Sequence, residues 1–398
     1  MNRTFGIFAI LPVACVFVAG LHYYFWARLV RDPKLSGRRR RAATAGIISL
    51  AALVVATVSI GRAVPRIGRW LAWPGFIWLG MMFILLVILA SFDVLRLVAA
   101  LASRLFGSAH PFDASRRAFT ARILAGTALA TLGGLTTAAV ESTLRPVAVK
   151  RVEVTLDRLP QSFDGLKIAQ LCDLHIGGML GRAFVEQVVC STNELNPDVV
   201  VIVGDLADGS VARLRPSLAP LSDLKTRHGV FFVTGNHEYY SPAGGRGWMA
   251  EMERMGLRVL RNERVPIGPE QAGFDLAGVP DHGAARFPED GPRENIPLAL
   301  AGRDRSRAVV LLAHQPIAIH QAALLGVDLQ LSGHTHGGQI WPWGALVRLQ
   351  QPFVRGLHRV GGTQIYVSCG TGYWGPPMRL GAPAEITEVI LRARRPMG

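Results

Sequence analysis

Ser332-Gly333-His334-Thr335-His336-Gly337-Gly338-Gln339 is the stretch on which the reading of this 398-residue chain turns. It sets two imidazoles at i and i+2 between glycines, directly after Val327-Asp328-Leu329-Gln330-Leu331. At a strand end, His334 and His336 can each offer a nitrogen to a different metal ion, and the glycines let backbone and ions approach closely. Four upstream segments share this build. Leu166-Lys167-Ile168-Ala169-Gln170-Leu171 runs into Cys172-Asp173-Leu174-His175, and Val199-Val200-Val201-Ile202-Val203 into Gly204-Asp205. Val230-Phe231-Phe232-Val233 runs into Thr234-Gly235-Asn236-His237-Glu238, and Val309-Val310-Leu311-Leu312 into Ala313-His314.

Short apolar runs bounded by glycine and polar residues read as buried strands of an α/β layer. Ligands of open α/β sheets collect at the carboxyl ends of the strands. Five such ends predict that Asp173, His175, Asp205, Asn236, His314, His334 and His336 lie along one edge. Carboxylate, imidazole and amide donors together suit Mn, Fe or Zn better than Ca, Mg or Cu(I).

Taken in order, the blocks are D-x-H (Asp173, His175), G-D (Gly204, Asp205), G-N-H-E (Gly235 to Glu238), a lone His314 after a strand, and G-H-T-H (Gly333 to His336). Over residues 166–391 they resemble the calcineurin-like metallophosphoesterase superfamily. The extended G-H-T-H-G-G-Q, and Cys369-Gly370-Thr371-Gly372 followed by Pro377, Arg379 and Glu385, resemble its membrane-attached bacterial branch. Glu238 stands where Asp is commoner, which changes length but not charge, and Cys172 before the first Asp has no assigned role. The resemblance implies an α/β/β/α sandwich holding two divalent transition-metal ions. One would take Asp173, His175, Asp205 and His336, the other Asp205, Asn236, His314 and His334, with Asp205 bridging. It also implies that a metal-bridged hydroxide attacks phosphorus in line. His237 would then be the catalytic group, stabilising the transition state or protonating the leaving oxygen.

Each block alone has an ordinary reading. A lone Gly-Asp after a strand is usually a turn or an N-cap, and a single buried histidine is usually a satisfied core residue. Five blocks in one order carry the reading. His22, His110, His228, His320 and His358 fall outside them and read as surface or packing residues, and His282 as a loop residue. The four cysteines have no metal-pair spacing.

Charge is divided sharply along the chain. Residues 1–151 hold 19 Lys and Arg against 4 Asp and Glu, and residues 152–398 hold 24 against 24. The net +15 thus belongs to the first part, where basic residues flank apolar stretches. That pattern indicates membrane topology and no nucleic-acid partner. Spans are expected at 5–26, 42–61, 70–92 and, richer in Ala, Gly and Thr, 123–140. Aromatics, not small residues, close the first span, so it reads as an uncleaved helix. Seven Lys and Arg in 27–41 and five in 93–122, against three in 62–69, orient the first and third loops to the cytoplasm. Both termini and the catalytic domain then lie on the extracytoplasmic side of the cell membrane.

The expected layout is a transmembrane helical region at 1–145 and a phosphoesterase domain at 146–398. Within the latter, Val152 to Leu156 reads as an edge strand, and 274–278, 364–368 and 386–391 as further strands. Helices are expected at 181–195, 214–225, 247–255 and 317–325. The function this implies is hydrolysis of a phosphodiester or pyrophosphate in a phosphorylated lipid, envelope-related or small-molecule substrate. A catalytically silent membrane ligand sensor and a nuclease are the alternatives. The loops around Trp341-Pro342-Trp343 and Tyr373 to Pro377 read equally as a lipid-facing lip or as packing against the helices.

Overall fold

The computed structural model describes residues 3–63, 65–106, 114–241, 243–269 and 272–394. His110 lies outside them. The chain divides into two compact units, Met1–Glu141 with Gly375–Met378, and Ser142–Trp374 with Arg379–Gly398.

The first unit is helical: α1 (Arg3–Trp26), α2 (Gly37–Ala63), α3 (Pro65–Leu105) and α4 (Ala114–Leu144). By length and composition all four can cross a membrane. A π-helical turn, Ala27–Arg31, extends α1. At 41 residues α3 runs well past the expected 70–92, and at 1.5 Å per residue it is about twice as long as a hydrocarbon core is thick. Arg96 and Arg104 therefore sit on helix rather than loop. Several polar groups of these helices are paired. Trp78 Nε1–H donates to His22 Nε2 at 3.1 Å, and Tyr24 and Arg28 both donate to Asp93. His22 is thus a packing residue, as its isolation from the motifs implies.

The second unit is built on two six-stranded sheets. The first runs β1 (Ala148–Leu156), β12 (Glu385–Ala393), β2 (Lys167–Leu171), β3 (Val199–Val203), β4 (Val230–Val233), β5 (Arg258–Val259). The second runs β10 (Gly356–Val360), β11 (Thr363–Val367), β9 (Leu329–Ser332), β8 (Val309–Leu312), β7 (Phe274–Gly278), β6 (Glu263–Ile267). Strands β2, β3 and β4 are parallel, as are β7, β8 and β9. The sequence Val-Val-Val-Ile-Val of β3 shows why the apolar runs are continuous. Val199, Val201 and Val203 face the core between the sheets, with Val310, Leu312, Leu329 and Leu331 opposite. Val200 and Ile202 point the other way, into a layer with Val185 and Val188 of α5 (Arg182–Glu194) and Trp248 and Met252 of α8 (Gly244–Arg254). Val309 and Leu311 meet a corresponding layer of Ala318 and Ala322 on the far side. Both faces of each central strand are covered, which is why these strands read as near-continuous apolar runs, interrupted in β2 and β9 by buried Gln170 and Gln330. The result is the α/β/β/α sandwich.

Several elements differ from expectation. The single helix expected at 214–225 is instead α6 (Val211–Leu218) followed by a 3-10 segment, Ala219–Asp223. Pro220 at the start of that segment has no N–H to continue an α-helix. Strands β5, β6 and β10 were not anticipated. Each is an outer strand whose polar or exposed residues break the apolar run that marks the inner ones. Val152 to Leu156 does form the sheet edge, as the carboxyl part of β1.

Candidate metal centre

Chain direction and pairing bring the carboxyl ends of β2, β3 and β4 and of β8 and β9 together, and all seven expected donors extend from these ends. The backbone beyond the strands is tied across. His175 N–H donates to Asp205 O at 3.1 Å, and Gly333 N–H to His314 O at 3.0 Å. Bonds also cross between the sheets. His334 N–H donates to the Asp173 carboxylate at 2.9 Å, and His314 Nδ1–H donates to Val203 O at 2.8 Å. The second bond fixes the His314 tautomer and leaves Nε2 free as a ligand.

Local conformation explains the i, i+2 spacing. Among the described residues nine non-glycines have positive φ, and five of them are Asp173, His175, Asp205, His334 and His336. Each such residue costs on the order of 1 kcal/mol, and clusters of them mark functional sites. In Asp173-Leu174-His175 the middle residue is buried in the helix-side core while its neighbours turn to the site. In His334-Thr335-His336 the middle hydroxyl donates to Val354 O at 2.6 Å. Gly204 completes the pattern at φ 77°, where an added Cβ would stand 2.5 Å from His314 Nδ1.

Ligand atoms fall into groups lying within 4.8 Å of one another. Asp173, His175 and His336 form one and Asp205, His314 and His334 another. His175 Nε2 and His336 Nε2 face each other at 3.0 Å. Asp205 lies between the groups. Its Oδ2 is 3.2 Å from His314 Nε2 and 3.8 Å from His175 Nε2, while Oδ1 accepts His237 N–H at 2.9 Å. Asn236 Oδ1 and His314 Nε2 are buried without a hydrogen-bond partner. Buried acceptors are rarely left unpaired, and two of them beside a carboxylate fit a cation. The donor set thus suits divalent cations.

Two carboxylates were not read as site groups from sequence. Asp208 holds two imidazoles, with His237 Nδ1 at 2.6 Å and His175 Nδ1 at 3.2 Å. Its signal was the Asp205-Leu206-Ala207-Asp208 spacing, three residues along the same loop. Glu238 is buried and accepts three backbone N–H groups, from Gly235 (2.7 Å), Leu206 (2.8 Å) and Asp205 (3.1 Å). Its extra methylene relative to Asp lets one carboxylate pin both the Gly-Asp loop and its own turn. Cys172 is a buried core residue whose N–H reaches Thr371 Oγ1 at 3.3 Å. His282 pairs with Glu294 at 2.6 Å, and His358 stacks on Phe353. The Trp341 and Trp374 rings are exposed.

The electrostatics separate the histidines. Burial disfavours a charged His237, but the Asp205 charge and the Asp208 hydrogen bond outweigh it and hold the imidazole up at about 9. Burial pushes His334 down to about 3, so it is a neutral donor. Burial and the Asp205 charge push Glu238 up to about 8, against the pull of its N–H donors.

The family model for calcineurin-like phosphoesterases matches residues 166–338. A Danio rerio protein described as "Transmembrane protein with metallophosphoesterase domain" is 39% identical over 330 residues, 81% of this chain and 74% of that one. A Bos taurus protein of the same description is 44% identical over 258 residues, 63% of this chain and 58% of that one. An "Uncharacterized metallophosphoesterase" of Helicobacter pylori strain J99 is 41% identical over 265 residues, 66% and 68% of the two chains. The resemblance is therefore not confined to bacteria.

The His237–Asp208 pair has a defined pH signature. With the histidine pKa raised, its stabilisation is complete below about pH 6.5 and is lost as pH rises through about 9. In metal-free protein, Asp208→Asn should melt below wild type near pH 6, with the deficit shrinking towards pH 10. A deficit constant across that range in thermal unfolding would contradict the pairing.

Proposed function

The chain belongs to the calcineurin-like phosphoesterase family, and we propose that it is a membrane-anchored, two-metal phosphohydrolase that cleaves a phosphodiester or pyrophosphate bond. The convergence of Asp173, His175 and His336 on one side of Asp205, and of His314 and His334 on the other, carries this reading. One cation would be held by Asp173, His175, Asp205 and His336, and a second by Asp205, Asn236, His314 and His334. Divalent cations there would act as Lewis acids on the phosphoryl oxygens and bring the pKa of a water towards neutrality. The amide oxygen and imidazoles of the set favour Mn, Fe or Zn.

The protein's own groups then have assignable roles. Asp208 accepts from His237 Nδ1–H, which leaves His237 Nε2 free to carry the second proton. A histidine held at about 9 keeps that proton at neutral pH and gives it to the leaving oxygen as the P–O bond breaks. Water supplies the oxygen that replaces it on phosphorus, and its proton restores the imidazolium. The His237 backbone N–H also fixes one Asp205 oxygen, so acid and bridging carboxylate share one support. The complete donor set weighs against a silent sensor. The even balance of charge in residues 152–398 weighs against nucleic acid and supports a small or lipid-linked phosphorylated substrate.

Four apolar helices and the transmembrane relatives support a multi-pass membrane protein. The Lys and Arg bias supports cytoplasmic placement of 27–41 and 93–122, with the catalytic domain extracytoplasmic.

Asp205→Asn should abolish hydrolysis of a chromogenic phosphodiester and lower the bound metal. Near-normal turnover with two metals retained would refute the bridging role. His237→Ala should keep its metal yet lose roughly 10²–10⁴-fold in activity, the range typical of an acid catalyst. Loss of metal would instead make it a ligand. For topology, an alkaline phosphatase fused after the last residue should be active and a green fluorescent protein there dark. Moving both reporters to follow Phe106, ahead of α4, should reverse the signals. A bright full-length fluorescent fusion with an inactive phosphatase would put the domain in the cytoplasm.

A further inference from the structure

Two aromatic rings flank His237, and neither serves the core. Trp374 lies 5.6 Å from the imidazole centroid at an interplanar angle of 73°, and Tyr240 lies 5.3 Å away at 63°. They are 55% and 57% exposed, so both rings present open apolar surface at the mouth of the site. Tyr240 continues into Phe287, edge to face at 6.0 Å. A large exposed aromatic on a glycine-rich loop is ordinarily free to swing. Trp374 is not, because its peptide is clamped by the Gln339 side chain. Gln339 Nε2–H donates to Trp374 O at 2.9 Å, and Trp374 N–H donates to Gln339 Oε1 at 3.1 Å. Gln339 itself is buried and sits at φ 40°, a strained conformation directly after the His-Thr-His-Gly-Gly turn. Strain is thus accepted in order to hold an exposed ring beside the proton donor.

We propose that Trp374 and Tyr240 form an apolar cleft for the leaving group, so that the substrate is a phosphoester whose leaving alcohol carries a flat ring or an acyl-type chain. Gln339 is the positioning residue that orients Trp374. The inference rests on His237 being the group that protonates the leaving oxygen, since the atoms beyond that oxygen must then lie close to the two rings packed against its imidazole. A ring or chain inserted there gains contact area in both walls, whereas a two-carbon alcohol reaches neither. A ring-bearing and a chain-bearing leaving group offer the same apolar chemistry, and the test separates them.

The full-length protein would be assayed on three methyl phosphodiesters, with 2-naphthyl, n-octyl or ethyl as the leaving group. Comparing each variant with wild type on the same ester cancels intrinsic reactivity. For Trp374→Ala, the loss in kcat/KM should be about tenfold greater on the naphthyl or octyl ester than on the ethyl ester, a gap set by removal of one aromatic wall. The ester with the larger gap identifies ring or chain as the natural feature. Gln339→Ala should show the same selective loss, smaller in size, and Trp374→Phe should restore most of it. Losses equal on all three esters would overturn the cleft, because a merely structural role does not discriminate among them. Calorimetric binding of the naphthyl ester gives a second readout, expected to be about tenfold weaker in Trp374→Ala. That weakening without turnover by wild type would sink the hydrolase reading and leave the cleft standing. Turnover with unchanged binding and unselective losses would sink the cleft alone.

Discussion

Burying the Asp205 carboxylate is the constraint around which the catalytic unit is arranged. Its Oδ1 takes the His237 N–H from the β4 loop, and its Oδ2 faces His314 from the β8 loop and His175 from the β2 loop. Its own N–H is held by Glu238, and its carbonyl accepts the His175 N–H. An isolated buried carboxylate is strongly disfavoured, so these partners are required for the two sheets to meet at this edge. Imidazoles from both sheets meet that requirement, and the same groups could hold a metal ion.

Pointing so many donors at one place takes an unusual backbone. Five of the site residues hold left-handed conformations that side chains generally avoid. The surroundings keep them there. Leu174 is anchored in the core, Thr335 is bonded to Val354, and Glu238 gathers three N–H groups around Gly204 and Asp205. Arg379 does the same for the last loop. It is fully buried, and its guanidinium donates to the carbonyls of Gly370, Gly372 and Ala382 rather than to a carboxylate. Gly372 N–H in turn donates to Asp173 O at 2.9 Å, so the guanidinium braces the first carboxylate of the site at one remove.

Much of this was legible in the sequence because the motifs end strands. An apolar run that stops at Asp or His states both that the strand is inner and that its end is polar. The sandwich and the positions of Asp173, His175, Asp205, Asn236, His314, His334 and His336 follow from that. Groups that act through a neighbour were not legible. Asp208 is one Asp among many until the fold sets it between His175 and His237. Glu238 read as a swap of one acid for another, because its work is on backbone donors that no side-chain pattern reveals. Gln339 and Trp374 are 35 residues apart, and their pairing depends on how two loops return to the same edge. Strands β5, β6 and β10 escaped because outer strands lack the continuous apolar run of the inner ones.

The strand order carries a consequence for how the molecule is made. In the first sheet β12 lies between β1 and β2, parallel to the former and antiparallel to the latter. The two earliest strands of the catalytic unit therefore never pair with each other, and both wait for the last. Ala148 pairs with Glu385 and Leu156 with Ala393, so closure must await residues more than two hundred positions later. At about 5–20 residues per second, synthesis alone imposes a delay of roughly tens of seconds. Throughout it the facing edges of β1 and β2 stay open, the condition under which strands recruit foreign partners. The apolar helices will by then have left the ribosome, so the unit completes itself as an already tethered chain. Tethering keeps nascent copies from diffusing freely while their sheets are still incomplete.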